Sequence, residues 1–150
     1  MTCRIPPLLQ LVLATGVGWF LSEAFPLLSH VSRLSWIVGW ILVVTGLLVS
    51  LIAVGVFRRK QTTVNPIRPE HTNALVTTGL YALSRNPMYV GMAAMLTGAV
   101  LLLQNYAALV SVPLFLLSIT FLQILPEEKA LAAKFGDDFE HYRATTARWV

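Results

Sequence analysis

The sequence predicts an all-α, polytopic membrane protein with about four transmembrane helices and a C-terminal cytoplasmic amphipathic helical segment. Three observations predict it. Hydrophobic residues make up 56% of the 150-residue chain and charged residues 12%, whereas a soluble domain of this size carries about 25% charged residues. With a mean hydropathy of +0.70, there is more apolar surface than a small soluble fold can hide. The apolar residues also gather in four stretches near the ~20 residues that a helix needs to cross a hydrocarbon core. This excludes a soluble globule, a disordered chain and a disulfide scaffold. Closed helices are the expected solution because lipid offers no hydrogen-bond partners to a free backbone.

The first span, 8–28, follows Pro6-Pro7, a pair suited to a helix start. Its length reads as a span rather than a signal peptide. The second, 36–57, has no charge and stops at Arg58-Arg59-Lys60. The third, 87–103, is short. The fourth, 107–125, ends at Pro126, and only Gln104-Asn105-Tyr106 separates it from the third, so the two should form a tight antiparallel hairpin. Four spans put the N-terminus, the 58–86 loop and the 126–150 tail on one side. That side holds ten of the eleven Lys and Arg residues, and the positive-inside rule makes it cytoplasmic. The net charge of +4 is therefore a topology signal, and no nucleic-acid partner is expected. The lone Cys3 builds neither a disulfide nor a multi-cysteine metal site. Glu23, the one charge within a span, reads as snorkelling or helix packing.

Two polar islands stand at the cytoplasmic face. In the first, Thr77-Thr78-Gly79 is a turn signal, and Asn86-Pro87 opens the third span with Asn86 as N-cap and Pro87 at the first helical position. From this segment alone Arg85 reads as a side chain snorkelling to water; beside that helix start it could also receive an anion, a carboxylate or phosphate. The second island begins at Pro126-Glu127-Glu128 and carries Leu131, Phe135, Phe139 and Tyr142 at helical spacing, with a break at Gly136. Gly91 and Gly98 give the third span a small-residue face suited to close helix packing.

These islands, in this order, resemble the integral-membrane methyltransferases, a superfamily that includes the isoprenylcysteine carboxyl methyltransferases and the phospholipid methyltransferases. The matching residues are Leu75-Val76-Thr77-Thr78-Gly79, Tyr81, Arg85-Asn86-Pro87, Tyr89 and Gly91, then Glu127-Glu128, Leu131, Phe135-Gly136, Phe139, Tyr142 and Arg148-Trp149. The resemblance implies S-adenosylmethionine as cofactor, bound without a Rossmann fold, and methyl transfer to a lipophilic or membrane-delivered small acceptor. It implies a cofactor site drawn from His71, Leu75, Val76, Tyr81, Arg85, Asn86, Pro87, Met88, Tyr89, Glu127 and Glu128. It needs no metal, and no general base is assigned. Two departures stand out. The family's Arg-His-Pro is Arg85-Asn86-Pro87 here. Gln123 also occupies the place where the prenylcysteine enzymes have an arginine that meets the substrate carboxylate, which makes Gln123 the candidate substrate-binding residue. Two other classes remain open at this level: a membrane sterol-type reductase using NADPH, and a non-enzymatic helical membrane scaffold.

Overall fold

The computed structural model describes residues 5–59 and 75–150, and these form helices and turns. The order is α1 (Pro7–Ala24), α2 (Arg33–Arg59), the single turn α3 (Leu80–Leu83), α4 (Pro87–Leu102), α5 (Ser111–Ile119), α6 (Leu125–Phe135) and α7 (Asp137–Thr145). A 3₁₀ turn, Ala107–Val110, leads into α5, and a π-helical turn, Thr120–Ile124, joins α5 to α6. The result is one 29-residue rod, Ala107–Phe135. Three helices among the described residues are long and apolar enough to cross a membrane: α1, α2 and this rod. The third expected span, α4, has 16 residues, about 24 Å, and is short for a hydrocarbon core of about 30 Å.

The predicted spans differ from the observed helices at their ends, for local reasons. α1 stops at Ala24 because Pro26 opens a separate 3₁₀ turn, Pro26–Leu28. α2 starts at Arg33, ahead of the apolar run, where the Ser32 hydroxyl accepts the Ser35 N–H at 3.2 Å. The fourth span does not end at Pro126 but runs through it. The π turn restarts the α-helical ladder at Leu125, so Pro126 occupies the first turn of α6, where its missing N–H costs little.

α4 is the centre of the bundle. It runs antiparallel along α2 and also touches α1 and α5. Tyr89, Met92, Leu96 and Val100 on α4 bury against Ala108, Phe115, Ile119 and Ile124 of the rod. Lipid tails are as apolar as these side chains, so the gain comes from packing more than from escape from water. Packing is close where glycines allow it. A Cβ on Gly91 would sit 2.5 Å from the Gly46 carbonyl, and one on Gly98 would sit 2.5 Å from the Gly39 carbonyl. The outward faces carry exposed Leu13, Trp19, Phe20, Trp40, Leu48 and Phe121.

At one end the α1–α2 and α4–α5 connections clasp each other. The His30 N–H donates to the Gln104 carbonyl at 2.8 Å, and the Tyr106 N–H to the Leu28 carbonyl at 3.1 Å. Buried Asn105 donates to the carbonyls of Ser22 and Phe25 and accepts the Ala107 N–H at 2.8 Å. Gln104 adopts φ of 50° to make this corner, a left-handed conformation that costs a non-glycine residue about 1–2 kcal/mol. Its side-chain amide offsets part of that by donating to the Ser32 carbonyl. The opposite end, where α2 finishes and α4 begins, gathers the two polar islands.

The glycine contacts set an expected order of stability. Gly91→Ala and Gly98→Ala should each destabilise by about 1–3 kcal/mol through overpacking. Gly16→Ala, where a Cβ meets nothing within 4 Å, should be neutral or stabilise by up to about 1 kcal/mol. Thermal unfolding in detergent measures both, and equal effects at the two kinds of site would refute the close α2–α4 seam.

Candidate functional site

The first island folds back on itself before α4. Gly79 takes φ of +67°, which suits a residue without a Cβ and turns the chain into α3. Val76 and Tyr81 bury with Ala53 of α2, and Met88 packs on the same cluster. The Leu75-Val76 pair is thereby seated beside the start of α4. The Ser84 hydroxyl accepts the Asn86 N–H at 3.1 Å and fixes the entry into the helix. Pro87 is buried at the first turn of α4.

The tail closes over this segment. Gly136 takes φ of +51° between α6 and α7 and turns α7 back, so that Phe139 and Tyr142 are buried. The Tyr142 hydroxyl donates to the Tyr81 carbonyl at 2.6 Å. The chain beyond α7 then runs alongside residues 84–86. The Arg85 N–H donates to the Ala147 carbonyl at 2.9 Å, and the Asn86 side chain donates to the Arg148 carbonyl at 3.0 Å. Asn86 therefore stands at the N-cap position without capping: its amide is spent on the tail, and α4 has no side-chain cap.

The two acids divide the work. Glu128 is taken up by arginines. Arg148 donates to it from Nε at 3.1 Å and Nη2 at 2.8 Å, and Arg85 Nη2 lies 3.1 Å from its Oε1. Glu127 accepts the hydroxyl of buried Tyr89 at 2.8 Å. Burial, then Tyr142 and then Glu127 push the Tyr81 phenol well above its ordinary value. Burial likewise pushes Tyr142 up to about 12, against the opposing pull of Arg85. The hydrogen bond to Glu128 raises Arg148. Arg85 is only 8% exposed at its side chain, yet its Nε and Nη1 have no hydrogen-bond partner among the described residues.

The hydrogen bonds and ion pairs thus link Tyr81, Arg85, Asn86, Tyr89, Glu127 and Glu128 through the tail, and Val76 packs with Tyr81. Met88 packs on the Val76 and Tyr81 cluster and also borders an apolar cavity. It lines this cavity, of about 390 Å³, with Pro6, Leu47, Leu51, Met92 and Met95. Ser50 is the polar residue on that wall, and its hydroxyl donates to the Met88 carbonyl at 3.3 Å. Gln123 joins neither group. It is fully buried in the π turn and donates to the Ile5 carbonyl, which Gln10 also bonds at 3.0 Å. Ser118 completes this network by donating to Gln10 at 2.7 Å. His71 lies outside the described residues. Sequence reasoning gave no role to Ser84, Tyr142 and Arg148. The repeated aromatic spacing and the closing Arg148-Trp149 were visible, but nothing local shows that they fold onto residues 81–86.

The profile of the phospholipid methyltransferase family matches residues 34–138, spanning α2, α4, α5 and α6 and both acids. A protein-S-isoprenylcysteine O-methyltransferase of Schizosaccharomyces pombe is 39% identical over 69 residues, which is 46% of this chain and 29% of that protein. The chain thus spans less than a third of that relative's length. An uncharacterized protein of Haemophilus influenzae is 36% identical over 63 residues, 42% of this chain and the whole of that protein. No solved structure matches at a significant level.

Two outcomes test the closed tail. Glu128→Ala leaves buried Arg85 without its carboxylate and should cost about 3–5 kcal/mol, read as a lower unfolding temperature and faster proteolysis after Phe135. The phenols give a pH dependence. Below pH 10 the tyrosines are protonated in both the folded and unfolded states, and their contribution is fully present. As pH rises from the ordinary value of 10.0 towards about 12, the unfolded chain ionises first and stability is lost. Tyr142→Phe should remove part of that alkaline loss, and ultraviolet titration of phenolate with parallel unfolding scans checks it.

Proposed function

The chain belongs to the phospholipid methyltransferase family, and from that premise we propose that it transfers the methyl group of S-adenosylmethionine to a lipophilic or membrane-delivered small acceptor. The observation that carries the reading is the Tyr89–Glu127 hydrogen bond at 2.8 Å. It joins the two sequence islands, 38 residues apart, one residue away from the cavity wall at Met88. The resemblance to prenylcysteine and phospholipid methyltransferases supports the donor, and the apolar cavity supports a lipophilic acceptor.

The residues present suit the donor. It carries a carboxylate, an amine, a ribose diol, an adenine and a sulfonium, and bound here it supplies an electrophilic methyl group. Arg85 has buried N–H groups without partners to offer an oxyanion. Glu127 offers an acceptor for an amine or diol. Tyr81 and Tyr89 offer aromatic faces to a ring or a cation. Leu75, Val76 and Pro87 supply the apolar floor. Glu128 and Asn86 contribute indirectly, by holding the tail and the helix start in register.

Methyl transfer of this kind depends on alignment and exclusion of water. α7, with Phe139 and Tyr142, covers the site on its solvent side. An acceptor enters laterally from the bilayer through the cavity between α1, α2 and α4. Gln123 is spent on the Ile5 carbonyl and brings no cation to an anionic acceptor. The same reading sets the orientation: the 58–86 loop and the 126–150 tail lie in the cytoplasm with both termini, where ten of eleven basic residues fall.

Calorimetry with S-adenosylhomocysteine in detergent tests the proposal. The intact protein is expected to bind it, and absence of binding by folded protein would sink the reading. Tyr89→Phe and Glu127→Gln are each expected to weaken binding by about 1.5 kcal/mol, roughly tenfold. Unchanged affinity in both would move the site elsewhere.

A further inference from the structure

Three polar side chains gather at the start of α1. Gln10 of α1 and Gln123 of the π turn both donate to the Ile5 carbonyl, and the Ser118 hydroxyl donates to Gln10 Oε1 at 2.7 Å. Both amides are buried, Gln123 completely. Gln123 Oε1 has no hydrogen-bond partner among the described residues. An unmade bond on a buried polar atom is costly, and a leucine would sit in the same place without that cost. The bond from Gln123 to Ile5 is what the amide supplies in return.

The carbonyl that the two amides hold is the handle on a cavity wall. The Ile5 carbonyl and the Pro6 ring nitrogen belong to one planar peptide unit. Neither Pro6 nor Pro7 has an N–H, so this segment cannot be secured through donors of its own. Pro6 is extended, with φ of −54° and ψ of 137°, and no side chain caps α1. Anchoring the Ile5 carbonyl therefore places Pro6 and, through its rigid ring, Pro7 and Leu8. These three residues form the α1 side of the apolar cavity, and Met88, Met92 and Met95 form its α4 side. A volume of about 390 Å³ holds about a dozen methylene-sized groups if each takes the ~30 Å³ of a liquid water. One hydrocarbon chain of moderate length fills it, and the two long chains of a diacyl lipid exceed it. The methionines suit an irregular chain, because their unbranched side chains adapt to its shape.

We infer that Gln123, with Gln10, is a positioning residue that selects a single-chain acceptor: the pair holds residues 5–7 as a fixed wall and so sets the width of chain that the cavity admits. The inference rests on the proposed function and adds the class of the acceptor. Gln123 touches no ligand in this role. It acts through the proline pair, from the rod along which α1 packs. A wider ligand would have to break these bonds in a setting where no water replaces them.

Photolabelling of the full chain in phosphatidylcholine nanodiscs decides the matter. One probe is a diazirine-bearing dodecanol and the other a diazirine-bearing phosphatidylcholine. Mass spectrometry compares label on Met92 and Met95 with label on exposed Leu13 and Leu48. In the unaltered protein the alcohol is expected to label the two methionines severalfold above the reference leucines, and the phosphatidylcholine to label the leucines alone. Gln123→Leu removes a donor from the Ile5 carbonyl and should raise labelling of the methionines by the phosphatidylcholine by about threefold or more. Gln10→Leu should act in the same direction and serves if the first variant fails to fold. Equal labelling of the methionines by both probes in the unaltered protein overturns the inference, and so does an absence of label there from either probe. A lower unfolding temperature of both variants with unchanged discrimination also overturns it, because that is the mark of polar residues that only hold helices together. Binding of S-adenosylhomocysteine is measured on the same nanodiscs. Its absence from the folded, unaltered protein removes the proposed function and with it the acceptor's role, whereas failed discrimination with binding intact removes the inference alone.

Discussion

The carboxylate of Glu128, shared between two arginines, is the interaction on which the site depends. Arg148 comes from the last residues of the chain and Arg85 from the threshold of α4, so one acid on α6 ties three separate segments. Ion pairs on open surfaces contribute little. Here Arg85 and Glu128 are enclosed, and losing Glu128 strands the buried Arg85 charge. Its neighbour Glu127 follows from it. Fixing α6 through Glu128 brings the preceding residue onto Tyr89, and the carbonyl of Arg148 is then within reach of Asn86. The tail buries Phe139 and Tyr142 and packs Trp149 on the core, and polar bonds to residues 81–86 set its register.

The membrane bundle supplies what those bonds need, a rigid and correctly placed start of α4. The 16 residues of α4 are too few for a comfortable span, and the helix is held by its neighbours instead. Glycines at 39, 46, 91 and 98 let it lie almost backbone to backbone on α2, and the rod covers its other side. The clasp of Asn105 and Gln104 pins the far end. A helix anchored along its length cannot easily shift its first turn, and that first turn carries Pro87, Met88 and Tyr89.

Much of this was legible in the sequence, and the exceptions have a common cause. Apolar length revealed the candidate spans, because a bilayer imposes it on any helix that crosses. Asn86-Pro87 marked the start of α4 to the residue. Pro126 misled because a π turn is a feature of the backbone ladder and leaves no residue signature in Thr120–Ile124. Asn86 looked like a cap because its preferred local bond is the obvious one; its actual partner is 62 residues away. Gln123 stood one helical turn before Glu127, which on an ordinary α-helix puts both on one face. The π turn between them changes that phase, and the amide points at Ile5 instead. Local rules fail here wherever a polar group is claimed by something distant in the chain.

The arrangement of Met88 and Tyr89 carries the functional logic furthest. Successive residues of an α-helix point about 100° apart. At the threshold of α4 that rotation gives two neighbouring side chains different partners. Tyr89 turns to Glu127 and the charged cluster beneath the tail, and Met88 turns to an apolar cavity bordered by α1 and α2. The proposed transfer between a polar, water-soluble donor and a lipophilic acceptor calls for such a juxtaposition, because neither partner is stable in the other's surroundings. A site on a helix wholly within the bilayer would exclude the donor, and one wholly in the tail would exclude the acceptor. Adjacent residues that border the cavity and the charged cluster bring the two proposed binding regions within a side chain's reach on one fixed helix.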